Sequence, residues 1–275
     1  MTGAIVLSAS ASLRAGAGLV TVAVPDRCLE TVAAFDPCFM TVPLPNDAAG
    51  RLTIEARKQI LQLALQATCI GIGPGLTTSP GITRLVAELY RSYTGPLVID
   101  ADALNALASL PALPMPAGER ILTPHVGEFR RLLGEERSVE SCRSRVADYA
   151  ADAGVVVVLK GHRTLITDGE TLRENSTGNP GMATGGSGDV LTGIITAMLG
   201  QGLGAFDAAV LGVHVHGMAG DLAADEVGQV SLTASDIVGA LPIAFQELDY
   251  DTGPTQLGSV PADWAPEPLT PPAEA

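Results

Sequence analysis

Basic residues are scarce in this chain. Its 275 residues include 16 lysines and arginines against 30 aspartates and glutamates, which gives a formal net charge of −14. Binding to nucleic acid or to an anionic membrane requires a basic surface, so the composition argues against both kinds of partner. Any phosphate-bearing ligand would have to be held by a few local groups.

Cysteines and long apolar runs are also scarce. The four cysteines, Cys28, Cys38, Cys69 and Cys142, show no C-x-x-C spacing, so neither a zinc site nor a disulfide framework is predicted. No uninterrupted apolar run is long enough to cross a bilayer, and the N-terminus lacks the basic stretch of a signal peptide. These absences predict a soluble, cytoplasmic protein with reduced thiols.

Small aliphatic residues must build the core, because 47% of the chain is hydrophobic but only 4% is aromatic. Such a composition is typical of parallel sheets covered by helices. Strand-like and helix-like segments alternate from Leu19 to Leu159, which predicts parallel βαβ units in one α/β domain. We expect this domain to span residues 1–250. The acidic, Pro-rich remainder, 251–275, is predicted to be a disordered tail.

The stretch 178–193, GNPGMATGGSGDVLTG, crowds six glycines and one acid, Asp189, into sixteen positions. The apolar spacing from Val190 onward predicts a helix that begins near Ser187. A helix start has free N–H groups, and the preceding glycines let a ligand approach the backbone, so this stretch predicts an anion site. The alternative is structural: the glycines form an entry turn, and Asp189 complements the helix dipole.

Polar or glycine-rich segments follow four predicted strands. They are the G-x-G-P-G turn at 71–75, the acids Asp100 and Asp102, the segment T-P-H-V-G-E at 123–128, and K-G-H-R-T at 160–164. Open α/β sheets bind ligands at the carboxyl ends of their strands, so these segments are candidates for one site. One of the two acids could instead cap the following helix, and Asp100 is the better site candidate because it directly follows its strand.

Two further patterns concern local structure. His214 and His216 lie two positions apart on a predicted helix, which is a poor arrangement for a metal site, and we interpret both as core or helix-contact residues. Asp168-Gly169 between two short strand-like runs predicts a hairpin with a two-residue type I′ turn.

The G-x-G-D at 186–189 resembles the anion-hole loop of the ribokinase-like superfamily. Together with T-P-H-x-G-E and K-G-x-x-T, the wording N-P-G-M-A-T-G-G-S-G-D-V-L-T-G resembles the ADP-dependent NAD(P)H-hydrate dehydratases, and the similarity runs from about Gly3 to about Leu241. The resemblance implies a ribokinase-like three-layer α/β fold, with a mainly parallel central sheet flanked by helices, and a homo-oligomer. In that family a strand and a glycine turn precede the first helix, and we expect them upstream of this sequence.

The resemblance also implies an activity and a set of site residues. A lyase of this family repairs the S epimer of hydrated NADH or NADPH, with ADP as phosphoryl donor and with Mg²⁺. Asp189 would accept the proton of the substrate hydroxyl, and the backbone of Gly186, Ser187 and Gly188 would stabilise the moving phosphoryl group. The remaining roles fall in three groups: Ala4, Gly73, Gly75, His125 and Asp189 bind the hydrated coenzyme; Lys160, Gly161, His162, Arg163, Thr164 and Gly188 bind the nucleotide; Glu128 contacts Mg²⁺ through water.

Two other functions fit much of the same sequence. An ATP-dependent small-molecule kinase of the superfamily would carry a similar glycine loop. A nucleotide-binding protein without activity is the second alternative, because the absent first strand would belong beside the pocket.

Overall fold

The computed structural model of the chain describes residues 1–135 and 138–251. These residues form the helices α1 (Thr2–Arg14), α2 (Leu29–Ala33), α3 (Ala56–Ala64), α4 (Pro80–Ser92), α5 (Ala101–Ala108), α6 (Val126–Leu133), α7 (Val139–Ala153), α8 (Ser187–Gly200), α9 (Ala205–Val227) and α10 (Ala234–Asp251). The strands are β1 (Val20–Pro25), β2 (Phe39–Leu44), β3 (Ile70–Ile72), β4 (Leu97–Ile99), β5 (Arg120–Leu122), β6 (Val156–Leu159), β7 (Leu165–Thr167) and β8 (Leu172–Glu174). Except for Asp251, the predicted tail lies outside the described residues.

The main sheet has six strands in the order β3-β4-β5-β6-β7-β8. Its first four strands are parallel, and β7 and β8 are added in antiparallel orientation. The predicted parallel βαβ arrangement is therefore confirmed. Strands β1 and β2 pair in parallel with each other but form a separate two-stranded sheet, which the alternation of strands and helices in the sequence does not reveal.

Helices cover both faces of the main sheet. Successive side chains of a strand point to opposite faces, so neighbouring residues of one strand pack into different cores. Val98 of β4 belongs to the core formed with α8, α9 and α10, whereas its neighbours Leu97 and Ile99 pack into the core formed with α4, α5 and α7. The three layers confirm the predicted α/β class. A third, smaller cluster of apolar side chains lies between α1 and the β1–β2 sheet.

Helix α8 packs very closely against α1. A Cβ atom added to Gly193, in the middle of α8, would lie 2.1 Å from the carbonyl oxygen of Ser8 in α1. The Ser12 hydroxyl also donates a hydrogen bond to the Gly193 carbonyl, at 3.0 Å. The two helices thus approach at a position where only glycine fits.

The hairpin between β7 and β8 differs from the prediction. Thr167 pairs with Leu172, so the connection has four residues, 168–171, instead of the two of a type I′ turn. The Asp168 carboxylate accepts hydrogen bonds from the backbone N–H groups of Glu170 and Thr171. This side-chain bonding replaces the positive-φ pair that a type I′ turn requires.

As for membrane insertion, none of the helices described between residues 1 and 251 is both long enough and apolar enough to span a bilayer.

Candidate functional site

The carboxyl ends of the four parallel strands of the main sheet are joined into one continuous edge. Asp100 donates its backbone N–H to the last carbonyl of β3 at 3.0 Å, and Thr123 donates to the last carbonyl of β4 at 3.1 Å. Lys160, after β6, donates to the Pro124 carbonyl at 2.8 Å. The strand-end segments predicted to converge therefore lie side by side, which follows from the parallel order of these strands.

The glycine loop meets this edge at the start of α8, which begins at Ser187 as predicted. Gly186 is the residue before the helix and has a φ of 95°, and no side chain caps the helix. Within the described part of the chain, the N–H groups of Gly186, Gly188 and Asp189 have no hydrogen-bond acceptor. Uncapped N–H groups at a helix N-terminus favour an anion, in keeping with the predicted site.

The preceding part of the loop is fixed to α9 by Asp221. One carboxylate oxygen of Asp221 accepts the Gly178 N–H at 2.8 Å, and the other accepts the Asn179 side-chain amide at 2.9 Å. The Asn179 amide oxygen in turn accepts the Gly181 N–H at 3.0 Å. The loop thus owes its shape to hydrogen bonds between groups about 40 positions apart, which local sequence patterns do not indicate.

A buried ion pair lies next to α8. The Lys160 ammonium is 2.6 Å from Oδ1 of Asp100, whose side chain is only 2% exposed. Oδ2 of Asp100 accepts the Thr192 hydroxyl of α8 at 2.8 Å. A Cβ atom on Gly188 would lie 3.2 Å from the Lys160 Nζ atom, so the backbone of the helix start almost touches the ammonium.

Asp189 carries the one carboxylate in the first turn of α8. It accepts no hydrogen bond from any residue in 1–135 or 138–251. Burial, together with the nearby charge of Asp100, raises the pKa of Asp189 to about 6, although the charge of Lys160 opposes the rise. A carboxylate with a pKa close to neutrality and free lone pairs is suited to accept a proton from a ligand.

His125 and Glu128 together start α6. His125 Nδ1 accepts the N–H groups of Gly127 and Glu128, and Glu128 Oε2 accepts the His125 N–H at 2.9 Å, which is a capping box with histidine in the first position. The His125 side chain is still 54% exposed, so its ring is accessible to a ligand. Glu128 Oε2 lies 4.0 Å from the Lys160 ammonium, at the rim of the ion pair.

The K-G-H-R-T segment forms a closed turn after β6. The Thr164 hydroxyl donates to the Gly161 carbonyl at 3.0 Å. Arg163 has a left-handed φ of 57°, and its guanidinium pairs with Glu174 of β8 at 2.6 Å. His162 is exposed. Lys160 thus lies against the start of α8, whereas His162 and Arg163 lie further along the turn, where the charge of Arg163 is already paired.

The turn after β3 depends on two glycines. Gly73 has a φ of 127°, and a Cβ atom there would lie 1.8 Å from the carbonyl oxygen of Asp100. Gly75 has a φ of 68°, and its Cβ would lie 2.4 Å from the Met1 carbonyl and 3.3 Å from the Ala4 side chain. Gly73 therefore touches the Asp100 strand end, and Gly75 and Ala4 are neighbours, as a shared role requires.

The choice between Asp100 and Asp102 as helix cap has an unexpected outcome. Asp100 occupies the position before α5, but its carboxylate makes no capping bond and belongs to the ion pair. Asp102 does not cap α5 either, since its carboxylate accepts the backbone N–H of Thr77, 2.7 Å away. Asp100 thus lies at this edge and is the N-cap residue of α5 by its position, as expected of one of the two acids, but neither carboxylate forms a capping hydrogen bond.

Two residues of the site were missed by the sequence analysis. Thr192 lies three positions after Asp189 on α8, and this spacing places both on one face of the helix, so a signal was available. His216 of α9 lies with Nε2 3.2 Å from the Ser187 hydroxyl. Burial lowers the pKa of His216 to about 4, so the ring is neutral at physiological pH. No local pattern indicates that contact, although the predicted role as a helix contact agrees with it.

A resident metal ion would find few ligands here. Among the residues described, no group of three or more His, Cys, Asp or Glu side chains could hold a metal ion. Mg²⁺ is often bound through one or two carboxylates and the phosphates of a nucleotide. Glu128 lies at the rim of the site, and its side chain is 7% exposed. Its carboxylate is of the type that could hold a nucleotide-bound Mg²⁺ through a water molecule, as the sequence predicts.

Comparison with known proteins gives a consistent result. Residues 1–242 match the family described as NAD(P)H-hydrate dehydratase. The chain is 45% identical over 256 residues to the bifunctional NAD(P)H-hydrate repair enzyme Nnr of Moorella thermoacetica, which covers 91% of this chain and 48% of that protein. The chain thus spans about half the length of the relatives it matches.

Solved structures agree with the sequence matches. The ADP/ATP-dependent NAD(P)H-hydrate dehydratase from Bacillus subtilis, co-crystallised with ATP and Mg²⁺, is 28% identical, with a TM-score of 0.76 and coverage of 90% of this chain and 85% of that chain. A ribokinase-like superfamily protein from Enterococcus faecalis is also 28% identical, with a TM-score of 0.69 and coverage of 89% and 82%. The predicted ribokinase-like fold is confirmed.

Proposed function

Because the chain belongs to the NAD(P)H-hydrate dehydratase family, we propose that it dehydrates the S epimer of hydrated NADH or NADPH in an ADP-dependent reaction. The products are the restored coenzyme, AMP and phosphate, so the enzyme is a lyase of metabolite repair. The observation that carries this proposal is the position of Asp189, an unbonded carboxylate beside bare N–H groups at the start of α8.

The chemistry has two steps. Hydroxide is a poor leaving group, so the hydroxyl of the hydrate first takes the terminal phosphoryl group of ADP, which leaves AMP. Phosphate then departs together with a ring proton, and the dihydronicotinamide double bond is restored. Asp189 accepts the hydroxyl proton in the first step, for which a pKa raised to about 6 is favourable because the group is ionised yet basic at neutral pH.

The backbone around Gly186, Ser187 and Gly188 stabilises the phosphoryl group in transit. The N–H groups of Gly186 and Gly188 are unbonded and fixed in the folded protein, so little reorganisation accompanies the development of charge, whereas the Ser187 N–H already donates to the Thr184 carbonyl at 3.4 Å. The neutral His216 ring holds the Ser187 hydroxyl and adds no positive charge. The start of α8 therefore stabilises the phosphoryl group through its oriented N–H dipoles, next to the Lys160 ammonium.

Lys160 and the turn through Thr164 bind the ADP phosphates, with contributions from Gly161, His162, Arg163 and Gly188. Glu128 would hold Mg²⁺ through a water molecule, and the ion would supply positive charge to the nucleotide phosphates. The backbone at Gly73 and Gly75, with Ala4 and the exposed ring of His125, receives the nicotinamide portion of the hydrate.

The test measures recovery of dihydronicotinamide absorbance from separately prepared S and R hydrates of NADH and NADPH. Each hydrate is incubated with Mg²⁺ and ADP, ATP or no nucleotide. The proposal predicts recovery from the S epimer with ADP well above ATP. The comparison with ATP is needed because the Bacillus subtilis relative is described as ADP/ATP-dependent.

Two variants give the test its control. Asp189→Asn removes the proposed base, and Asp207→Asn removes a first-turn carboxylate from another helix, α9. Only the first should lose activity. A stable phosphorylated product without recovery would establish a kinase, and nucleotide binding with no turnover of any hydrate would establish a binding protein; either result refutes the proposal.

A further inference from the structure

The segment Asp100-Ala101-Asp102 sends its two carboxylates to different partners. Asp100 holds Lys160 and Thr192, whereas the Asp102 carboxylate accepts the Thr77 N–H at 2.7 Å. Ala101 between them has a positive φ of 47°, which is uncommon for a residue with a Cβ atom. The backbone at this strand end is therefore held in an unfavourable conformation, with both acids engaged.

Thr77, the partner of Asp102, combines two further unfavourable features. Its φ is 64°, and a β-branched residue in this left-handed region is a true outlier. Its hydroxyl is buried and finds no hydrogen-bond partner within the described residues. Strain of this kind persists only where surrounding contacts enforce it, and it is concentrated at functional sites. The side-chain contact made by the Thr77 backbone is its hydrogen bond to Asp102, at 2.7 Å.

Thr77 closes the turn that follows β3. Leu76 donates its N–H to the Gly73 carbonyl at 3.0 Å, and the Gly75 carbonyl accepts the Met1 amino group at 3.0 Å. The turn is thus closed by one backbone hydrogen bond between Gly73 and Leu76, and Thr77 is the next residue. If Thr77 relaxed to a right-handed conformation, the turn would change direction and the Gly75 backbone would move relative to α1.

We propose that Asp102 is a positioning residue for the hydrated coenzyme, because its bond to Thr77 fixes the Gly73–Thr77 turn in the shape that receives the substrate. This inference rests on the proposed function, in which Gly73 and Gly75 contact the hydrate through their backbone. The nucleotide contacts lie after β6, on a different strand end, so we expect Asp102 to act mainly on binding of the hydrate.

The experiment compares Asp102→Ala, which removes the acceptor, with Asp102→Asn, whose amide oxygen still accepts the Thr77 N–H. Asp152→Ala, at an exposed acid of α7, is the control. We expect Asp102→Ala to raise the KM for the hydrate about tenfold, because the strained turn is released. The KM for ADP should stay within about twofold of its value in the unsubstituted chain. Asp102→Asn should remain within about twofold of the unsubstituted chain in both constants.

Thr77→Gly provides the decisive arm, because glycine adopts a positive φ without strain. In the Thr77→Gly background, Asp102→Ala should change the hydrate KM by less than about twofold, so the two substitutions are strongly coupled. Hydrogen exchange of residues 73–79 gives a readout independent of turnover. Exchange there should accelerate in Asp102→Ala and return toward normal in the double variant.

The outcomes separate this inference from the proposed function. If the unsubstituted chain turns over no hydrate, the proposed function fails, and the positioning role fails with it. If the unsubstituted chain is active but Asp102→Ala leaves the hydrate KM unchanged, or raises both KM values equally, only the positioning role is overturned. If Asp102→Asn behaves like Asp102→Ala, the charge of Asp102 matters instead of its hydrogen bond, and the inference is also overturned.

Discussion

The ammonium of Lys160 lies 2.6 Å from a carboxylate oxygen of Asp100, and these groups come from the ends of two different strands, 60 positions apart in the chain. Asp100 is almost completely buried, and Lys160 is 19% exposed. Each charge therefore depends on the other for compensation, and the pair lies against the start of α8. A ligand phosphate at Lys160 would join an ion pair that already exists.

Removing one partner of this pair should destabilise the protein more than removing both. Lys160→Met leaves Asp100 buried without its counter-ion, and we expect a loss of about 3 kcal/mol in the free energy of unfolding. Adding Asp100→Asn should recover most of that loss. Urea denaturation of the single and double variants measures the difference, with Arg51→Met at an exposed pair with Asp47 as a control that changes little. Equal losses in the single and double variants would contradict compensation.

Asp189→Asn should reduce turnover of the hydrate by about 10²- to 10⁴-fold, the usual contribution of a general base. Nucleotide affinity should change little, because the asparagine leaves the backbone N–H groups in place. Steady-state kinetics and calorimetric titration with ADP check both parts. Full activity together with tight nucleotide binding would show that Asp189 is not the base.

The pH dependence of kcat/KM should follow the ionisation of Asp189. The base acts only when deprotonated, and its pKa is raised to about 6, so the rate should rise with pH and level off above that value. An unperturbed carboxylate, with a pKa of 3.8, would give a flat profile over the same range. Kinetics between about pH 5 and 8 with a nucleotide kept saturating distinguish the two cases.

Asp189 should also reduce the stability of the folded state at neutral pH. Its pKa is 3.8 in the unfolded reference and about 6 in the fold, so the folded state binds the proton more tightly. The contribution of this group to stability is therefore lost as the pH rises from 3.8 to about 6. Because the carboxylate is partly accessible to solvent, we expect Asp189→Asn to gain only about 1 to 2 kcal/mol near pH 7.5.

Thermal and urea unfolding at about pH 4.5 and 7.5 test this prediction, and the gain from Asp189→Asn should be smaller at the lower pH. Asp207→Asn serves again as the control. A variant that is less stable than the unsubstituted chain at both pH values would contradict it.

Gly73→Ala should be far more harmful than Gly134→Ala. Both glycines have positive φ, but the Gly73 Cβ would lie 1.8 Å from a backbone oxygen, whereas nothing lies within 4 Å of a Cβ on Gly134. We expect about 1 kcal/mol for Gly134→Ala from the backbone alone, and at least about 3 kcal/mol for Gly73→Ala. Denaturant midpoints give both values. Similar losses would mean that the turn moves freely away from Asp100.

Much of the site could be predicted from the sequence, because parallel strands bring the residues that follow them to one edge of the sheet. Asp100, His125 and Lys160 each follow a buried apolar run, and the parallel arrangement brings such positions to one edge without knowledge of any distance. The start of α8 at Ser187 could be predicted equally well, since the glycines before it and the apolar spacing after it mark the position. These features depend on local patterns and on one topological rule.

The remainder depends on contacts between distant positions. Asp102 is compatible with a helix cap until Thr77 is placed beside it, and His216 cannot be assigned to Ser187 while the packing of α9 on α8 is unknown. The separate β1–β2 sheet and the four-residue hairpin loop are likewise decided by tertiary packing and side-chain hydrogen bonds. Local propensity is a weak guide at such positions.

The contact between Gly193 and Ser8 limits how this protein can change through evolution. Any side chain at position 193 would push α8 away from α1, and α8 begins only six residues earlier, about 9 Å along its axis. A substitution that adds only a methyl group at position 193, outside the proposed site, would therefore alter the alignment of Ser187 and Asp189 with the strand ends. Selection for activity therefore also acts on the interface between α1 and α8, where adding a single methyl group to Gly193 would be unfavourable.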